Sequence, residues 1–249
     1  MAILSVDLAF RRWSDLGIVL LERAADGHIA CEILPWNEGA GPVDPNILAG
    51  RLNHLCGARG VRVMLLDGPQ AWKSRRNGLA YARVSERQLN TAAKTGLPGM
   101  VKPVTYRPFA EFCLDVYDGL CRRGWRRLDT LSRPEAPPER ILVESYPYAA
   151  WKSLGLKPLS SKRRTKISDL AAAYTALRAV TPFTTSRPPN HDQLQAIVGG
   201  FAGLALEERN AAAARIVGQP PRREEGHWRE GFIVLPLPPA PTPGLRWLN

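Results

Sequence analysis

The sequence predicts an α/β fold on one mixed sheet: three antiparallel strands, then two parallel strands, with flanking helices and an insertion after the fourth strand. Three observations carry that expectation. Short apolar runs bounded by turn signals recur along the 249 residues and read as buried strands. A hairpin signal, Ala25-Asp26-Gly27, joins two of them early in the chain. Helix-spaced apolar residues separate the later ones, the alternation that sets strands parallel through right-handed crossovers.

The elements follow in order. Residues 2–10, 16–22 and 28–34 read as an antiparallel meander. Residues 45–56 read as a helix with Ile47, Leu48, Leu52 and Leu55 on one face and Asp44 as its cap. A fourth strand spans 61–67. Residues 68–108 form an insertion with turn signals at Gly68-Pro69 and Gly96-Leu97-Pro98-Gly99 and one helix near 85–94. Residues 109–123 are helical, with Phe112, Val116 and Leu120 spaced by four and Gly124 closing the helix. A fifth strand covers 139–144. A helix over 162–180 turns Leu170, Ala173, Tyr174 and Leu177 inward, and a last helix runs over 190–215. Residues 231–236 read as an edge strand. The domain is then 1–235, followed by a proline-rich tail over 236–249.

Composition narrows the partners. With 45% apolar and 23% charged residues, the chain is an ordinary soluble globular sequence. A net charge of +11 points to an anionic partner, nucleic acid first and an acidic membrane second, although a basic proteome or a solubility effect gives the same balance. Cys31, Cys56, Cys113 and Cys121 form no CxxC pair and sit mostly among apolar residues, which reads as a reduced core and argues against zinc. There is no signal-like leader and no apolar run of ~18 residues, so the expectation is a cytoplasmic protein without a membrane span.

The chemistry is carried by acids at strand ends. Val6-Asp7, Leu66-Asp67 and Val143-Glu144 each close an apolar run on a carboxylate. Where such strands run parallel, their C-terminal ends share the edge at which ligand crevices open. Asp192, opening the last helix beside the stripe of Leu194, Ile197, Val198, Phe201 and Ala205, can face the same edge. Each acid alone has an ordinary explanation: an edge-strand charge for Asp7, turn chemistry for Asp67 and Glu144, and the helix dipole for Asp192. Together they repel unless a cation neutralises them, and a hard divalent ion suits oxygen ligands. Gly199, Gly200 and Gly203 read as packing glycines that bring the last helix close to the sheet.

The strand order is the ribonuclease H-like arrangement, and the motifs resemble the DUF429 family of predicted nucleases. Asp7, Asp67, Glu144 in Val143-Glu144-Ser145-Tyr146-Pro147, and Asp192 carry that resemblance. So do Arg83-Val84-Ser85-Glu86-Arg87 with Lys94-Thr95-Gly96, Gly155 with Lys162 and Lys166, and Glu230 to Pro236. The last helix departs from the pattern, with one acid where such proteins often have two, which implies weaker metal binding. The resemblance implies a nuclease in which Asp7, Asp67, Glu144 and Asp192 hold two Mg²⁺ (or Mn²⁺) ions ~4 Å apart, with Asp7 bridging them. Arg11, Arg75, Arg83, Arg87, Lys162, Arg163, Arg164 and Lys166 would then grip a DNA or RNA substrate, the residues from Lys162 to Lys166 at a helix N-terminus. Trp13 beside Arg11 and Arg12 could stack a base, whereas the arginines around Gly124-Trp125 read as a solvated helix end.

Two other readings share the fold. An ATP-binding phosphotransferase or ATPase needs glycine-rich turns that cradle phosphates, and only Gly68 follows the first two acids closely; ATP binding would distinguish it. A non-catalytic nucleic-acid-binding protein is the other, favoured by the single acid of the last helix; failure to bind Mn²⁺ would distinguish it. DNA against RNA, single strand against duplex, endo- against exonuclease action and oligomeric state are left open by the sequence.

Overall fold

The computed structural model describes residues 2–36, 41–129 and 140–238. In chain order its elements are β1 (Ala2–Asp7), β2 (Gly17–Arg23), β3 (Ile29–Ile33), α1 (Pro45–Ala58), β4 (Val63–Asp67), α2 (Val84–Gln88), α3 (Arg107–Cys121), β5 (Arg126–Arg127) and β6 (Ile141–Ser145). They continue with α4 (Pro147–Ser153), α5 (Ile167–Val180), β7 (Phe183–Thr185), α6 (His191–Glu207), β8 (Ala214–Glu224) and β9 (His227–Pro236).

One sheet runs β7-β3-β2-β1-β4-β6-β9-β8, with β5 also paired to β6. At its centre the expected order is present. β1, β2 and β3 form the antiparallel meander, and β4 and β6 run parallel to β1. This is the mixed α/β sheet of the ribonuclease H-like arrangement, with helices on both faces. Strand alternation splits the core in two. Ile3, Leu65 and Val143 meet Ile197, Val198 and Leu204 of α6 on one face. Leu4, Val6, Met64 and Leu66 meet Leu48 and Leu52 of α1 and Phe112, Val116 and Leu120 of α3 on the other. No described helix is long and apolar enough to cross a membrane. All four cysteines are free thiols, as a reduced core requires.

Local chemistry sets the helix ends. Asp44 caps α1 by accepting from the Asn46 and Ile47 amides at 2.9 and 2.8 Å. Ile47, expected on the buried face, is 51% exposed, and Ala49 and Cys56 fill the core stripe instead. α5 starts at Ile167, not at 162, because Asp169 accepts from the Lys166 amide and fixes the start there. Lys162, Arg163 and Arg164 therefore lie in the preceding turn. The last helix stops at Glu207, eight residues short of expectation, because Arg209 adopts the left-handed conformation that ends a helix.

The chain beyond it becomes β8, the edge strand, so residues 231–236 lie inside the sheet rather than at its rim. β7 and α4 were not apparent from the sequence, and the helix of the insertion is shorter than expected. Around Gly124, Arg122, Arg123 and Arg126 are exposed, as a solvated helix end requires, but Arg127 is buried, as is Trp125. Arg127 pairs with Asp118 at 2.7 Å and lies over the Trp228 ring. Residues 239–249 of the proline-rich tail lie outside the described residues.

Candidate functional site

Asp7 closes β1, Asp67 closes β4, and the two are direct partners across the parallel pair. Residues at one register position project to the same side of a sheet, so their carboxyl groups face each other on the side covered by α6. The two side chains lie close enough to act on each other's ionisation. Burial, then the Asp67 and Asp192 charges, holds Asp7 well above the ordinary carboxylate range, and Lys162 only partly offsets this. Burial pushes Asp67 up to about 6, against the downward pull of the Asp7 hydrogen bond and Lys94. Two buried carboxyl groups this close cannot both ionise without cost, so the pair holds a proton to higher pH than an ordinary carboxylate does.

Asp192 reaches this pair through a close helix approach. Asn190 and Gln193 form a reciprocal cap, each side chain accepting from the other's amide at 2.9 Å. Gly17 is the β2 partner of Asp7, and a Cβ there would lie 2.3 Å from the Asp192 carbonyl oxygen. Only glycine leaves room for the first turn of α6. The glycines of α6 do the same further along: a Cβ on Gly199 would meet Ser145 Oγ at 3.1 Å, and one on Gly203 would meet Leu65 Cδ1 at 2.2 Å.

The Asp192 carboxylate is already neutralised. Lys162 Nζ donates to it and to Asp15, the latter at 2.9 Å, and His191 Nδ1 lies 3.1 Å from its other oxygen. Burial lowers the pKa of both Lys162 and His191, but the hydrogen bonds to Asp192, together with Asp15 for Lys162 and the Ser160 carbonyl for His191, raise them on balance.

Glu144 is one step out of register with the aspartates. It pairs with Leu66, while Ser145 pairs with Asp67, so its side chain leaves the opposite side of the strand. It is buried and accepts from Arg83 Nη1 and Nη2 at 2.6 Å each and from the Gln70 amide at 3.0 Å. Arg83 is 2% exposed. Its guanidinium closes an internal ion pair and is not available at the surface. Burial lowers the Arg83 pKa, and Glu144 more than offsets it.

At the C-terminal edge the two sides of the sheet meet in a cavity of about 150 Å³. Asp67, Glu144, Arg83, Lys94, Tyr106 and Tyr146 are among its lining residues. The insertion that forms its wall is held by two acids the sequence did not single out as site residues. Glu86 accepts from the Arg83 amide at 3.0 Å and from Thr95 Oγ1 at 2.9 Å. Glu230, buried and in the left-handed conformation, accepts from the Ser74 and Val84 amides at 2.9 and 2.8 Å and from Asn77 Nδ2 at 2.7 Å. Their signal in the sequence is weak, because each is one more acid in a polar stretch.

The four acids thus do not form one chelating cluster. Among the described residues no group of three or more His, Cys, Asp or Glu side chains is arranged to hold a metal ion. Asp7 and Asp67 still suit one hard cation. Mg²⁺ takes one or two carboxylates plus water, and the proton between these two is what a cation would replace.

The other expected basic residues vary in placement. Arg11, Arg87, Arg163, Arg164 and Lys166 are exposed. Arg75 is exposed with its Nε 3.3 Å from Glu225. Trp13 is buried in the core under Arg51 and offers no face to a base.

No protein-family model and no curated protein matches the chain, so the resemblance to DUF429 rests on its short motifs alone. Two solved structures are similar in the course of the chain. One is RuvC of Thermus thermophilus, with a TM-score of 0.40 and 11% identity over 84% of this chain and 97% of that one. The other is the yeast mitochondrial Holliday junction resolvase Ydc2, with a TM-score of 0.37 and 12% identity over 79% of this chain and 75% of that one. At that distance neither bears on the chemistry, and the architecture rests on the strand order and register.

Proposed function

We propose that this protein is a nuclease that hydrolyses phosphodiester bonds of nucleic acid with a divalent cation, Mg²⁺ or Mn²⁺, held by Asp7 and Asp67. The observation that carries this reading is the facing pair of carboxyl groups at one register position, under-neutralised, with Asp67 lining a cavity that Lys94 also lines. Bound there, the ion would polarise a phosphate oxygen and acidify a water toward neutrality.

The chain's own residues do the rest. Asp7 and Asp67 must both be ionised to become ligands, so binding strengthens as pH rises through the Asp67 pKa of about 6 and beyond it as Asp7 loses its proton. Lys94, whose charge already acts on Asp67, lines the same cavity and can take a phosphate oxygen. Lys162 keeps Asp192 neutralised beside Asp7 and limits the repulsion that a third free carboxylate would add. Arg11, Arg87, Arg163, Arg164 and Lys166 provide exposed positive charge for the backbone of the substrate.

The test is cleavage of labelled DNA and RNA oligonucleotides by wild type, Asp7→Asn and Asp67→Asn, with Mg²⁺ and with a chelator. Metal-dependent cleavage by wild type that falls to background in both variants is expected. Equal cleavage by wild type and variants would remove the mechanism. A second reading, a nucleic-acid-binding protein without catalysis, is favoured by the neutralisation of Glu144 and Asp192 by Arg83 and Lys162. It is the outcome if nucleic acid is bound tightly and no product forms.

A further inference from the structure

We infer that the cavity beside Asp67 takes an unpaired strand whose bases stack on aromatic platforms to either side of the carboxylates, an inference that rests on the nuclease reading above. In the sheet, β4 with Asp67 lies between β1 and β6. Each neighbour runs past its last residue into an aromatic group. After β1, Phe10 joins Phe109 at 6.1 Å between ring centroids, and Phe109 joins Tyr106 at 5.3 Å. After β6, Tyr146 joins Tyr148 at 6.0 Å. Tyr106, Phe109 and Tyr146 line the cavity together with Asp67.

Each platform carries its own cations. Arg11 lies 5.4 Å over the Phe10 ring and Lys94 4.9 Å over Tyr106 on one side, and Lys152 lies 4.6 Å over Tyr148 on the other. None of these rings is a sealed core ring, as Tyr117 and Trp151 are. Phe10, Tyr106, Phe109 and Tyr146 are half-buried and Tyr148 is exposed. A flexible cation resting on a partly open ring can serve one nucleotide by leaving that ring: the phosphate takes the cation and the base takes the face it vacates.

The form of nucleic acid follows from stacking. In a duplex each base has both faces covered by its neighbours, so a side chain can stack only on a base that is unpaired or splayed. Platforms on both flanks of the carboxylates therefore select unpaired nucleotides on both sides of the bond to be cut. A protein that held intact duplex would need only the outlying charges and would leave these rings unused.

The experiment measures binding separately from cleavage. Asp7→Asn protein, unable to cut on the reading above, is titrated by fluorescence anisotropy with one labelled DNA strand and with the same strand in duplex, in Ca²⁺. The single strand is expected to bind at least ~10-fold more tightly. Tyr148→Ala, at an exposed ring, and Tyr106→Leu, which keeps most of the side-chain bulk, are each expected to weaken single-strand binding by ~5- to 100-fold. Both should leave duplex binding and the salt dependence of binding unchanged, because no charge is removed. Duplex bound as tightly as the strand, or tyrosine variants with unaltered single-strand affinity, would overturn the inference. Metal-dependent cleavage of duplex by wild type under those results would leave the nuclease reading standing; absence of all cleavage by wild type would remove that reading whatever the affinities.

Discussion

Asp67 is held at about 6 in the folded protein, well above the ~3.9 of an unfolded aspartate, and that displacement opposes folding. Below about pH 4 both states carry the proton and nothing is lost. Between about 4 and 6 the unfolded chain releases it while the folded one keeps it, so stability falls as pH rises. Above that window the full penalty is present, on the order of 2–3 kcal/mol. Asp67→Asn should therefore melt several degrees higher than wild type near pH 8 and no higher near pH 4, read by thermal unfolding. Equal melting at both pH values would mean the carboxyl pair is not strained.

Arg83 makes the opposite prediction. Arg83→Met leaves Glu144 buried and unpaired, which should cost about 3–5 kcal/mol. Adding Glu144→Gln should recover much of it, and a double-mutant cycle in denaturant measures the difference. At this scale the meeting of Asp7 and Asp67 was legible in the sequence, because both close apolar strands that the topology sets parallel. The Arg83–Glu144 pair was not, because nothing in two stretches 61 residues apart specifies that one cation points into the interior rather than to the substrate.

At the scale of elements, the approach of α6 to β1 and β2 assembles the site, and it depends on missing Cβ atoms. Gly17 meets backbone: an alanine Cβ would collide with the Asp192 carbonyl, which can move only by shifting the helix. Gly203 meets side-chain ends, Leu65 Cδ1 and Ile3 Cδ1, and no backbone. Gly17→Ala should therefore destabilise by more than the ~1–3 kcal/mol typical of overpacking. Gly203→Ala should fall within or below that range, since helix propensity returns up to ~1 kcal/mol. Equal effects of the two on stability would contradict this account of how α6 is seated.

The meander, α1, α3 and the three acid-ended strands could be read from periodicity because local pattern and burial agree there. β8 could not. Pro220 and Pro221 interrupt it at a register shift, a break that an edge strand tolerates and a sequence pattern hides. The alanines at 211–214 continue the helical pattern past a terminus set by one left-handed residue, Arg209. The insertion was illegible for a different reason. Its shape comes from the buried acceptors Glu86 and Glu230, not from any repeat of its own.

For the whole molecule, the +11 charge is a statement about partners and not about fold. If nucleic acid is the partner, log affinity should fall linearly with log salt, and the double substitution Arg163→Glu and Arg164→Glu should lower both affinity and slope without altering stability. A flat plot would argue against phosphate contacts. The more decisive question is whether two distant stretches of chain, brought to one register position by parallel pairing, make a cation site. A crystal grown with Mn²⁺ and measured for anomalous scattering answers it without any assay. One peak is expected between the carboxyl groups of Asp7 and Asp67, at ~2.0–2.2 Å from an oxygen of each. A map with no peak there, or with manganese bound elsewhere and the two aspartates still sharing a proton, would contradict the account.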